Sequence, residues 1–119
     1  MPELPEVETT LKGIEPYLTN SQIESVIIRN GSLRWPVPAE VYALSHQKVL
    51  NVTRRGKYII IHFNKGAVLI HLGMSGNLRV VDPEMTVQKH DHVDLLLNTQ
   101  KIIRFNDPRR FGCVLWAED

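Results

Sequence analysis

The stretch VLNVTRRGKYIIIHFNKGAVLIHL, residues 49–72, decides the fold. It contains three short runs rich in β-branched residues, at 49–54, 57–63 and 67–72. Arg55-Gly56 separates the first two runs and Asn64-Lys65-Gly66 the last two, and glycine-containing breaks between such runs are typical of tight turns. The stretch therefore predicts three consecutive antiparallel β-strands.

Similar runs lie on both sides of this stretch. Residues 23–29 are rich in isoleucine and valine and end before Asn30-Gly31, a strong turn signal. Further strands are predicted at 77–81, 92–97, 101–105 and 112–116. Asn98-Thr99-Gln100 is the expected hairpin loop within this series.

A helix is predicted ahead of the strands. Apolar residues recur there at spacings of three and four, at Leu4, Val7, Leu11, Ile14 and Leu18. Pro5 suits the first helical turn, and Thr19-Asn20-Ser21 ends the pattern. The sequence thus predicts an α+β domain in which this N-terminal helix packs on a two-sheet antiparallel β-sandwich or flattened barrel.

Composition sets the class of protein. The 119 residues have the length of one ordinary domain, and 43% apolar with 23% charged residues is typical of a globular chain. No apolar run is long enough to cross a membrane, and the acidic, proline-broken N-terminus is unlike a secretory signal. The single cysteine, Cys113, excludes an internal disulfide and a cysteine-based zinc finger within the chain. We expect a soluble cytoplasmic domain without a metal or cofactor of its own.

The formal net charge of +1 hides an uneven distribution. Residues 1–28 hold five glutamates and one lysine, whereas residues 29–110 hold thirteen lysines and arginines against six carboxylates. A basic body favours a polyanionic partner, because clustered cations release counterions from phosphates. A mildly basic, solvated surface is the alternative.

The N-terminus offers a nucleophile. Removal of Met1 would expose the secondary α-amine of Pro2. An α-amine titrates near pH ~8, so part of it is unprotonated at neutral pH. Attack of a secondary amine on a sugar carbon gives an iminium, which is cationic without an added proton. Glu3 and Glu6 could protonate a leaving group or a ring oxygen. Plainer interpretations remain, since many proteins begin with Met-Pro and acidic residues commonly stabilise a first helical turn.

Three further segments carry groups suited to nucleic acid. Lys57 follows Gly56, which would let a ligand approach the backbone, and Met74 could wedge between bases from its glycine-rich segment. Asp107-Pro108-Arg109-Arg110-Phe111-Gly112 combines a proline-set turn with arginines for phosphates or base edges and a ring for stacking. A basic strand edge, a methionine folded onto the core and a cation–π hairpin are the structural alternatives.

The triplet His90-Asp91-His92 raises the question of a metal. His90 and His92 could share one face of a strand. The sequence offers no third ligand beside them, so we predict no metal site.

Five motifs occur in one order along the whole chain. They are Pro2-Glu3-Leu4-Pro5-Glu6-Val7-Glu8-Thr9, Arg55-Gly56-Lys57-Tyr58, His71-Leu72-Gly73-Met74-Ser75-Gly76, Lys89-His90-Asp91-His92-Val93-Asp94 and Asp107-Pro108-Arg109-Arg110-Phe111-Gly112. No single motif is decisive, but with all five the sequence closely resembles the N-terminal domain of the bacterial formamidopyrimidine-DNA glycosylases (8-oxoguanine DNA glycosylase/AP lyases).

The resemblance implies base-excision repair of oxidised purines by base flipping. Pro2 would attack C1′ of the lesion nucleotide, Glu3 would act as general acid, and Lys57 would contact phosphate and donate a proton during β-elimination. Glu6 would support the lesion site, and His71 and His90 would bind the DNA backbone. The residues that would fill the gap left by the flipped base are Met74, Arg109 and Phe111, with Arg109 pairing to the orphaned cytosine.

The resemblance also implies what lies outside this chain. Residues 1–119 would be the N-terminal catalytic domain, without the C-terminal helix–two-turn–helix and the zinc finger, which carries one zinc ion, of the full-length family. We therefore expect a monomeric, nucleoid-associated bacterial protein that binds double-stranded damaged DNA and no membrane. The chain alone is expected to be weak or inactive.

Three alternatives stay open. The chain could be a DNA-binding module without chemistry, or a purely structural β-domain. It could also be a glycosylase of the endonuclease VIII type, acting on oxidised pyrimidines. Leu4, where that branch typically has glycine, and the Arg109-Arg110-Phe111 tip argue against this last alternative.

Overall fold

A computed structural model of the chain describes residues 4–118. Within this range the elements are α1 (Leu4–Leu18), β1 (Ile23–Ile28), α2 (Ala39–Tyr42), β2 (Asn51–Arg55), β3 (Tyr58–His62), β4 (Gly66–His71), β5 (Asn77–Val81), β6 (Asp91–Leu97), β7 (Ile102–Asn106) and β8 (Cys113–Glu118). No helix in residues 4–118 is long and apolar enough to cross a membrane.

The strands form two antiparallel four-stranded sheets, which confirms the predicted fold class. The orders are β1-β6-β7-β5 and β2-β3-β4-β8. The second sheet contains the three strands predicted from residues 49–72, paired as consecutive hairpins. Its first strand begins at Asn51 rather than at Val49, because the Val49 N–H donates to the Ser21 carbonyl, in the segment after α1, at 2.8 Å.

Helix α1 lies mainly against one edge strand of each sheet, β5 and β2, with further contacts to β3, and so covers one side of the sandwich. Its buried face consists of Val7, Leu11, Ile14 and Leu18, as predicted. Leu4, the first residue of the helix, belongs to the same periodic pattern but is 44% exposed and lies outside the buried face.

The chain crosses between the sheets twice at one end of the sandwich. Residues 72–76, the first crossover, connect β4 to β5, and residues 107–112, the second crossover, connect β7 to β8. Because β4 pairs with β8 and β5 pairs with β7, the two crossovers run side by side. This topology positions the candidate site.

A buried ionic network lies on the face of the first sheet opposite the core. Asp94 and Arg104 are cross-strand partners, and their carboxylate and guanidinium form two hydrogen bonds of 2.9 Å. Arg29 adds a third hydrogen bond to Asp94 at 2.8 Å. Burial by itself raises the pKa of Asp94, but the hydrogen bonds from Arg104 and Arg29 outweigh it and hold that pKa below its usual value.

Asp94→Asn tests the importance of this network. The substitution keeps the shape of the side chain but removes the carboxylate to which the buried guanidinium of Arg104 is hydrogen-bonded, and leaves it only the more distant carboxylate of Asp91, at 3.9 Å. We expect a loss of about 3 kcal/mol or more in the free energy of unfolding, measured by urea denaturation near pH 7. Since the pKa of Asp94 is lower in the folded than in the unfolded chain, the difference between the two proteins should shrink as the pH falls below about 4.

Asp82→Asn is the matched control, because it breaks an ion pair of 2.6 Å to Lys101 between exposed side chains. This variant should unfold at nearly the same urea concentration as the parent chain. Equal losses in the two variants would contradict a special role for the buried network.

Candidate nucleic-acid interface

The two crossovers bring three predicted site residues to one tip. Met74, on the first crossover, is 49% exposed, and Phe111, on the second, is 43% exposed. The guanidinium carbon of Arg109 lies 4.9 Å from the centroid of the Phe111 ring, within the range of a cation–π contact. Two apolar groups and a cation are thus presented to solvent together.

The backbones of the crossovers touch at two glycines. A Cβ atom on Gly73 would lie 2.4 Å from the Gly112 nitrogen, and one on Gly112 would lie 2.5 Å from the His71 oxygen. Gly73 also has a φ of +66°, which side chains disfavour. Only glycine permits this approach, so the spacing between the crossovers is set by backbone contact.

Hydrogen bonds of Asp107 reinforce this contact. Its carboxylate accepts from the Ser75 hydroxyl at 2.9 Å and from the Gly112 N–H at 2.8 Å. Its carbonyl accepts from Nε2 of the buried His92 at 2.8 Å. One buried aspartate therefore joins both crossovers to the first sheet.

Lys57 and His71 are also brought together. Lys57 precedes β3, and its neighbour Tyr58 is the cross-strand partner of His71, with 4.9 Å between the two ring centroids. Nδ1 of His71 accepts the Gly73 N–H at 3.0 Å. Burial, followed by the positive charges of Lys57 and Arg34, lowers the pKa of His71. The imidazole is consequently neutral at pH 7, with its proton on Nε2, and can donate to a phosphate.

Three adjoining hollows form a groove along this end of the molecule. They have volumes of about 300, 480 and 360 Å³. Arg34 lines the first and second hollows, and Arg110 lines the second and third. The other lining residues with a cationic or imidazole side chain are His71, Arg109, Arg29, Lys89, His90 and His92. Asp91 is the one carboxylate that lines them within residues 4–118, and its side chain is buried.

The prediction placed His90 at the interface, and the structure puts it in the third hollow. Its ring centroid is 6.1 Å from that of His92. Across the part of the chain that the structure describes, no three histidine, cysteine or acidic side chains are grouped so as to hold a metal ion.

Sequence reasoning missed Arg29, Arg34 and Lys89 as groove residues. Arg29 and Arg34 lie in the connection after β1, and the fold brings them into one groove with Lys89, which precedes β6. The one local signal was the pair Arg34-Trp35, in which a cation precedes an aromatic residue. In the structure the guanidinium carbon of Arg34 lies 5.8 Å from the centroid of the Trp35 ring.

The start of α1 lies beside the hairpin that carries Lys57. Glu8 of α1 accepts a hydrogen bond from Nε of Arg54 on β2 at 2.7 Å, and Arg54 also donates to the Gly56 carbonyl at 2.9 Å. Glu6 is exposed on the first turn. Pro2 and Glu3 lie outside the described residues. In the sequence they directly precede α1, whose Glu8 is bonded to Arg54 of this hairpin.

With this geometry in view, comparison with known proteins decides the family. The sequence model of the formamidopyrimidine-DNA glycosylase N-terminal domain matches residues 1–114. The chain belongs to this family. The resemblance inferred from the motifs is thereby confirmed.

Relatives and solved structures of formamidopyrimidine-DNA glycosylases agree over the whole chain. Proteins of that name from Escherichia coli O7:K1 and Yersinia pseudotuberculosis are 54% and 56% identical over all 119 residues. The Lactococcus lactis enzyme, crystallised with DNA containing an AP site, covers 98% of the chain with a TM-score of 0.89 and 26% identity. The same enzyme with FAPY-dG-containing DNA gives a TM-score of 0.88 and 25% identity. The chain spans 44% of the length of the two relatives and about the same share of the crystallised enzyme.

His71 offers a test of the electrostatics of this domain. We expect its imidazole to titrate below about 6.5, the value of an unstructured histidine, in an NMR pH titration. Because the folded pKa is the lower one, the unfolded chain binds the proton more readily, and stability should decline as the pH falls below about 6.5.

Lys57→Gln removes one of the positive charges that oppose protonation of His71. The pKa of His71 should therefore rise in this variant while remaining below that of an unstructured histidine, since burial persists. A pKa at or above about 6.5 in the parent chain would contradict the assigned neutral state.

Proposed function

We propose that this chain forms the N-terminal part of a DNA glycosylase of base-excision repair that removes oxidised purines and then cleaves the resulting AP site. Membership of the family carries the proposal, together with the placement of Met74, Arg109 and Phe111 on one tip above a cationic groove. The solved relatives bound to AP-site and FAPY-dG DNA have the same fold.

In this proposal the Pro2 amine is the nucleophile once Met1 has been removed. Its lone pair forms a bond to C1′ of the lesion nucleotide while the glycosidic bond to the base breaks, and the proton given up by the Pro2 nitrogen passes to the leaving base. Glu3 protonates the ring oxygen as the deoxyribose opens, which leaves an iminium between Pro2 and the sugar. Water then takes a proton from C2′, the resulting enamine expels the 3′ phosphate in the β-elimination, and Lys57 donates a proton to that phosphate.

The remaining site residues hold the DNA. His71 donates its Nε2–H to a backbone phosphate, and His90 contacts the backbone from the third hollow. Met74 and Phe111 enter the space that the flipped nucleotide vacates, and Arg109 leaves the Phe111 ring to pair with the orphaned cytosine. Glu6, exposed on the first turn of α1, supports the lesion site.

The other functional parts of the family would lie in the portion of the relatives that this chain does not cover. We assign the helix–two-turn–helix and the zinc finger with its single zinc ion to that part, along with further phosphate contacts. Each lost contact weakens binding, so residues 1–119 should bind DNA by orders of magnitude less tightly than a full-length relative. The protein would act as a monomer in the bacterial cytoplasm, associated with the nucleoid through its substrate.

Borohydride trapping tests the proposed chemistry. The chain, shown by intact mass to lack Met1, is incubated at low salt with a duplex containing an AP site and then reduced. At protein concentrations high enough to offset the weak binding, we expect a covalent protein–DNA adduct in low yield, because reduction converts the Pro2 iminium into a stable amine. The control is a chain with residues added ahead of Pro2, in which the Pro2 nitrogen is an amide and no adduct at this residue can form.

The outcomes separate the alternatives. Binding to the duplex without an adduct would favour a DNA-binding module without chemistry. Absence of binding at low salt would favour a structural β-domain. An adduct of equal yield in the extended control would show that another amine reacts and would contradict the role of Pro2.

A further inference from the structure

The two crossovers have a joint that the proposed chemistry leaves unexplained. The Ser75 hydroxyl donates to one carboxylate oxygen of Asp107 at 2.9 Å and accepts the N–H of Arg109 at 3.2 Å. It therefore connects the crossover that carries Met74 to the one that carries Arg109 and Phe111. No other side chain in the described range bonds to both crossovers in this way except Asp107.

Asp107 is an unusual partner for this hydroxyl. Its relative exposure is 0%, yet no nitrogen of a lysine, arginine or histidine within residues 4–118 lies within ion-pair distance of its carboxylate. Arg109 and Arg110, its close neighbours in sequence, both point elsewhere and line the groove. A buried carboxylate of this kind depends on its hydrogen bonds, and each one lost leaves a charged oxygen without a partner.

We infer that Ser75 and Asp107 are positioning residues that clamp the two crossovers into a single rigid unit. Met74 and Phe111 then keep a fixed spacing and enter the DNA together rather than independently. The glycine contacts also restrict the crossovers, because the backbones of Gly73 and Gly112 are already too close for the crossovers to approach further. The rigid unit follows from the free structure, whereas joint entry into DNA rests on the proposed function.

Amide hydrogen exchange in the free chain tests the clamp without DNA. In Ser75→Ala the Arg109 N–H loses its acceptor directly, so the informative group is the Gly112 N–H, which is bonded to the other oxygen of Asp107. If the crossovers form one unit, its exchange should accelerate by roughly tenfold, the effect expected from loss of a hydrogen bond to a charged group. Ser75→Thr, which retains the hydroxyl, should restore slow exchange, and the exposed Ser45→Ala should have no effect.

A mutant cycle on DNA tests joint entry. Met74→Ala and Phe111→Ala are made singly and together, in the parent and in the Ser75→Ala background, and affinity is measured for a duplex with a tetrahydrofuran abasic site opposite cytosine. In the parent the two affinity losses should be strongly non-additive, because removal of one group already disables the unit. In the Ser75→Ala background the two substitutions should act independently, so that the fold-loss in affinity of the double variant equals the product of the two single fold-losses.

Two results would overturn the inference. Unchanged exchange of the Gly112 amide in Ser75→Ala would show that the crossovers are not clamped by this hydroxyl. Equal coupling between Met74 and Phe111 in both backgrounds would show that the clamp does not govern their entry. A parent chain without preference for the abasic over the intact duplex would instead count against the proposed function, and the exchange measurement would then decide the clamp by itself.

Discussion

The buried carboxylate of Asp107 joins the two crossovers at the end of the sandwich where the chain passes between the sheets. It is bonded to the Ser75 hydroxyl and the Gly112 N–H, and its backbone carbonyl accepts from His92. Strand pairing alone would bring residues 72–76 and 107–112 near each other. The hydrogen bonds and the close approach of Gly73 to Gly112 then fix how the two crossovers meet, and so determine which side chains form the tip.

Burial of carboxylates such as Asp107 also explains the charge of the groove. Of the six carboxylates in residues 29–110, Asp91, Asp94 and Asp107 are buried. Asp91 and Asp94 are occupied by arginines of the first sheet, and Asp107 by hydrogen bonds. These three acidic groups thus point inward, while Arg34, Arg110 and their neighbours remain at the surface. A chain with a net charge of only +1 can in this way present a strongly cationic face to a polyanion.

Local patterns in the sequence were sufficient to locate α1 and the eight strands. Turn residues bounded the strands of the second sheet, and the spacing of Val7, Leu11, Ile14 and Leu18 gave the buried face of α1, because both signals arise between near neighbours. Leu4 shows the limit of periodicity, since a residue at the end of a helix can follow the pattern without reaching the core.

The candidate site could be predicted only in part. Met74, Arg109 and Phe111 were identified by residue type and resemblance, but nothing local indicates that Ser75 bonds to Asp107, 32 residues away. The ionic network was missed for the same reason: Asp94 and Arg104 become partners only through the register of β6 against β7. Such contacts depend on tertiary structure, and residue types alone do not reveal them.

The central claim is that the paired crossovers and the groove beside them form the DNA-binding face. NMR mapping tests this claim most directly, by titration of the chain at low salt with a short duplex containing a tetrahydrofuran abasic site. The account predicts that the amide signals of residues 72–76 and 107–112 shift together with those of Arg34 and His90, and more with this duplex than with an intact one. Shifts confined to other surfaces, such as the exposed segment 82–87, would contradict it.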